Sequence, residues 1–134
     1  MSPISNQKIQ RVLRLEAVCI LVAAVVCYAK FGAGWGVFTL CFFLPDISLL
    51  AYRVNSRVGT FVYNTVHSYA GPMIALVIGL AFASPVFLSV GMIWGAHIAF
   101  ERMFGYGLEY SRDFEFKHLG LIDRVVTSVR SDAR

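Results

Sequence analysis

Four apolar runs of about 20 residues each, separated by short glycine-, proline- or charge-marked turns, dominate this 134-residue sequence. A run of that length crosses the hydrocarbon core of a bilayer as one helix, because lipid offers no partner for a free backbone N–H or C=O. The runs cover roughly residues 12–31, 35–52, 61–83 and 85–104. Little chain is left over, so the sequence predicts a single integral membrane domain. Its expected fold is all-α, a bundle of four transmembrane helices. Composition agrees: 57% of residues are hydrophobic and only 15% are charged, outside the range of soluble proteins.

The basic residues orient the bundle. With four spans, Lys8, Arg11, Arg14, Arg53, Arg57 and the six from Arg102 to Arg134 share one side, and Lys30 stands alone on the other. The positive-inside rule puts that side, with both termini, in the cytoplasm. The net charge of +4 is then a juxtamembrane excess. No basic patch interleaved with exposed aromatics points to nucleic acid. Glu16 interrupts the first apolar run, so that run is expected to stay as a span and not be cleaved as a signal peptide. Cys19, Cys27 and Cys41 lie inside apolar runs without a Cys-x-x-Cys pair, and read as small helix side chains.

Local patterns refine the helices. Glu16, Cys19, Ala23 and Cys27 form a small-residue stripe expected to face a neighbouring helix. Pro45 and Pro72 are expected to kink the second and third spans. Gly91 and Gly95 form a Gly-x-x-x-Gly face suited to close packing, within the chain or against a second copy or a larger membrane complex. Leu119, Ile122, Val125, Val126 and Val129 recur at helical spacing, which predicts a short C-terminal amphipathic surface helix.

Against this apolar background a few ionisable groups carry the chemistry. His97 and Glu101 lie four residues apart, on one face near the end of span four. Such groups cost roughly 2.5–3.5 kcal/mol each at membrane depth and persist where they have partners. Partners of the right kind are Glu16 at the start of span one, Asp46 near the end of span two, and Asn64 and His67 at the start of span three. On the alternating topology all of them fall within about 15 Å of the cytoplasmic boundary. The expectation is one polar pocket facing the cytoplasmic leaflet.

Glu16, Asp46, His67, His97 and Glu101 are ligand types that suit zinc, iron or manganese, with Asn64 in support. A divalent ion would also offset the buried carboxylates. The di-iron signature Glu-x-x-His is absent, since the pair here is His97-x-x-x-Glu101. Three further readings stay open: a hydrogen-bond cluster that only fixes the fold, a proton or ion relay, and a haem between His67 and His97.

Several motifs occur in a specific order: Arg14-Leu15-Glu16, Leu44-Pro45-Asp46-Ile47-Ser48, Tyr63-Asn64 with His67, Ala96 to Arg102, Gly105-Tyr106-Gly107-Leu108 and His118-Leu119-Gly120. Together they resemble the bacterial membrane proteins of domain-of-unknown-function family 4260, over about residues 13–121. Glu101 stands where that family often has Asp, and Arg112 and Glu115 replace its more usual Pro and Gly. The resemblance implies a fold, a site and a bacterial cytoplasmic membrane, but no activity. It draws attention to His118, which could cap the pocket from below or simply open the tail helix.

These features lead to a metal-dependent membrane enzyme acting on a lipid-like substrate as the first functional expectation. A non-enzymatic subunit of a larger membrane complex, docked through Gly91 and Gly95, or a small proton or metal-ion carrier is the alternative. Residue types alone assign no reaction and no oligomeric state.

Overall fold

The computed structural model describes residues 3–106, with side chains from residue 7 onward. The expected tail helix and His118 lie outside the described residues. Within them the fold is all-helical, with no strand. Helices α1 (Pro3–Phe31) and α2 (Trp35–Phe42) are followed by a 3-10 helix (Leu44–Arg53), then α3 (Ser56–Val66), α4 (Ala70–Ala81) and α5 (Pro85–Met103).

Two of the expected spans are not continuous α-helices. The second changes from α to 3-10 geometry at Leu44-Pro45, where proline cannot donate the next α-type bond. The third starts earlier than expected, capped by Asn55, whose Oδ1 accepts from Val58 N at 2.8 Å. It then breaks at residues 67–69 and resumes as α4. Pro72 explains the position: its ring crowds the carbonyl four residues back, at Ser68, so the disruption falls before the proline. Two segments are long and apolar enough to cross a membrane by length and composition, Gln7–Phe31 and Trp35–Arg53. The others are shortened by the break or diluted by His97, Glu101 and Arg102.

Helix α5 is the hub, packing on α1, α2 and α4, while the 3-10 helix packs on α3. Contacts at both ends fix the directions. The space between Arg14 and Gly105 and a cavity shared by Ala33 and Val86 make α1 antiparallel to α5. Gly71 against Trp94 and Gly79 against Leu88 make α4 antiparallel to α5 as well. The α4–α5 hairpin closes with Ser84 N–H donating to Gly79 C=O at 2.9 Å, around Ala83 in the left-handed region at φ +49°. The Gly-x-x-x-Gly stripe meets α4 of the same chain: a Cβ on Gly91 would come within 2.7 Å of Leu76 and 3.0 Å of the Pro72 carbonyl.

The small stripe on α1 does not face the core. Cys19, Ala23 and Cys27 are exposed, and the helix packs through Ala17, Leu21, Ala24 and Tyr28, one position further round. Tyr28 sets this rotation. Its ring is buried against Met92 and Ile93, covers Gly32, and its hydroxyl donates to Gly34 C=O at 2.8 Å.

Candidate metal centre

At the end of the fold where α1 begins and α5 finishes, Asp46, His67, His97 and Glu101 each present one donor atom, all within 4.8 Å of one another. Three separate elements supply them. Asp46 is in the first turn of the 3-10 helix and His67 caps the C-terminus of α3. His97 and Glu101 stack one turn apart on α5. The expected meeting of these four residues is therefore present. Glu16 is exposed on α1 and is not one of this group; it lines a separate cavity. The turn that separates the two follows from the rotation of α1. Asn64 is half-buried one turn before His67 and has an interaction of its own.

The distances are specific. His67 Nε2 lies 3.3 Å from Glu101 Oε2 and 3.3 Å from His97 Nε2. His97 Nε2 lies 3.5 Å from Asp46 Oδ1 and 3.7 Å from Glu101 Oε1. Zinc bonds of about 2.0–2.2 Å to nitrogen and oxygen put tetrahedral ligand atoms about 3.3–3.6 Å apart. Three of these four distances fall in that interval. Both imidazoles are buried, whereas the Asp46 and Glu101 side chains are 37% and 22% exposed, so the cluster is open on the carboxylate side.

A backbone carbonyl orients one of the two imidazoles. His67 Nδ1 lies 3.0 Å from the Tyr63 carbonyl, which can only accept. A neutral His67 ring therefore carries its proton on Nδ1 and turns the Nε2 lone pair into the cluster. There it faces a carboxylate oxygen and a second imidazole nitrogen. A metal ion among these atoms, or a hydrogen on His97 Nε2, satisfies that lone pair. His97 Nδ1 is buried without a hydrogen bond, on the side where the Phe42 backbone lies.

Three residues outside the predicted ligand set shape the site. Tyr63 stacks on His67 with ring centroids 3.9 Å apart and an interplanar angle of 16°, and donates its hydroxyl to Glu101 Oε2 at 3.3 Å. Its spacing of four residues from His67 was the available signal. Arg102 donates to the His67 carbonyl at 3.3 Å and lies over the Tyr69 ring at 4.5 Å. Trp94 Nε1 donates to the Val66 carbonyl at 2.7 Å, so α5 satisfies two carbonyls freed by the break.

Two cavities flank the centre. One, of about 460 Å³ and almost wholly apolar, runs beside α5 from Ala33 and Val86 to Pro45, Val66 and Trp94. The other, of about 350 Å³, is walled by α1, Tyr69, Arg102 and Tyr106. No curated protein and no solved structure matches the chain. A family model does match, over residues 10–122, a range that includes Asp46, His67, His97 and Glu101. The chain belongs to the family described as Domain of unknown function (DUF4260).

Proposed function

We propose that this is a membrane-embedded metalloprotein whose Asp46, His67, His97 and Glu101 hold one divalent transition-metal ion, zinc, iron or manganese. The observation that carries the reading is the convergence of four donor atoms within 4.8 Å, with the His67 lone pair directed among them by the Tyr63 carbonyl. Membrane residence is supported by the two long apolar segments and by large side chains left exposed along every helix, such as Leu40, Phe61, Leu80 and Phe82. In this reading four passes alternate through the bilayer and both termini face the cytoplasm, where the basic residues collect.

The site is suited to catalysis on a lipid-like molecule. A bound ion lowers the pKa of coordinated water to about 7 and so supplies a nucleophile at neutral pH. The apolar cavity ends at Pro45 and Val66, the chain neighbours of Asp46 and Val66's successor His67, which brings a hydrocarbon chain to the edge of the cluster. The carboxylate side gives access to the polar part of such a molecule.

Elemental analysis of the purified full-length protein tests the metal. About one equivalent of zinc, iron or manganese per chain is expected, lost in His97→Ala and retained in Glu16→Gln. Metal-free protein that takes up none of the three ions on reconstitution would overturn the reading.

A further inference from the structure

The 350 Å³ cavity beside the cluster has a composition of its own. Arg14, Glu16, Tyr69 and Arg102 form its polar wall, and Leu13 and Ile20 its apolar one. Two guanidiniums thus share one small space, and among the described residues neither has an ion pair with a carboxylate. Both are held from behind. Arg102 rests on the Tyr69 face at 4.5 Å and donates one bond to His67 C=O, which leaves most of its five N–H donors unused. Arg14 lies over Gly105, where φ is +93° and a Cβ would come within 2.8 Å of the guanidinium. The Tyr69 hydroxyl is buried without a partner.

Two guanidiniums lining one cavity place like charges together that an anion would join, and planar N–H forks suit phosphate oxygens. Glu16 offsets only one of the two charges and offers an acceptor to a cationic group on the same ligand. Leu13 and Ile20 continue the cavity as an apolar wall along α1. We propose that this cavity binds a phosphoethanolamine headgroup, with Arg14 and Arg102 on the phosphate, Glu16 on the ammonium, and the lipid's glycerol end against Leu13 and Ile20. The proposal rests on the membrane reading for the lipid as source of that headgroup, and nothing in it requires the metal.

Calorimetric titration of the full-length protein in a non-ionic detergent tests it, with dihexanoyl phosphatidylethanolamine, dihexanoyl phosphatidylcholine and soluble glycerophosphoethanolamine as ligands. Saturable binding is expected for the ethanolamine lipid, weakened roughly tenfold or more in Arg14→Gln and in Arg102→Gln. In Glu16→Gln the preference over the choline lipid should shrink to within about twofold. Because Arg14 is exposed, its substitution does not threaten the fold. Wild-type affinity in Arg14→Gln, or equal affinity of the wild type for both lipids, overturns the proposal. Equal affinity for glycerophosphoethanolamine overturns the lipid as source. Metal content measured on the same preparations keeps the two sites apart: Arg14→Gln that keeps its metal and loses headgroup binding supports both readings, and wild-type protein that binds the headgroup without metal sinks only the first.

Discussion

Removing one oxygen atom from Tyr63 isolates the part of the centre that orients Glu101. In Tyr63→Phe the ring still stacks on His67 at 3.9 Å and the backbone carbonyl still accepts from His67 Nδ1 at 3.0 Å. The hydroxyl bond to Glu101 Oε2 is lost. Groups that hold a metal-bound carboxylate in place are generally worth 10–100-fold in metal affinity, about 1.4–2.7 kcal/mol. Here the O···O distance is 3.3 Å, longer than the roughly 2.7–2.8 Å of a strong hydroxyl bond, which points to the lower end. Tyr63→Phe should therefore weaken zinc binding about tenfold, whereas Tyr63→Ala, which also removes the stack, should weaken it further. Competition against a chelating indicator of known affinity measures this on detergent-solubilised protein. An affinity within about twofold of wild type in Tyr63→Phe would refute the idea that the hydroxyl orients the carboxylate for an ion. Wild-type zinc affinity in His97→Ala would refute the site itself.

Other perturbations report on the fold that carries the centre. Ala83→Gly should stabilise the protein by about 0.5–1 kcal/mol, since φ is +49° there and glycine avoids the Cβ penalty at some cost in unfolded-chain entropy; the denaturation midpoint will show the sign. Gly91→Leu should cost about 1–3 kcal/mol by forcing α4 away from α5, seen as a lower melting temperature, and an unchanged one would contradict the packing against Leu76. Tyr28→Phe should cost about 1 kcal/mol by leaving the Gly34 carbonyl without its 2.8 Å partner, while leaving metal content untouched.

The four clustered residues were legible because ionisable groups stand out in apolar runs, and alternating helix direction puts them at one level. His97 and Glu101 followed from a spacing of four, and Asp46 and His67 from depth. Glu16 satisfied the same depth argument yet belongs to another cavity, because α1 is apolar on nearly all sides and no periodicity marks which face turns inward. Its rotation is decided by the Tyr28 hydroxyl finding Gly34, a contact between side chain and backbone that spacing does not encode. The break at residues 67–69 was equally hidden: Pro72 announces a disruption, but the Trp94 and Arg102 side chains that make it tolerable come from α5.

Those two side chains act as splints. By tying the Val66 and His67 carbonyls to α5, they fasten the imidazole of His67 to the helix that carries His97 and Glu101. Three of the four donors are thereby parts of one rigid jaw. Asp46 sits on a different element, at the far end of the 3-10 helix from the Tyr52 hydroxyl that links it to Thr60 of α3. Asp46 is thus the one donor of the four whose position depends on how the 3-10 helix is seated and not on the splinted α3–α5 pair.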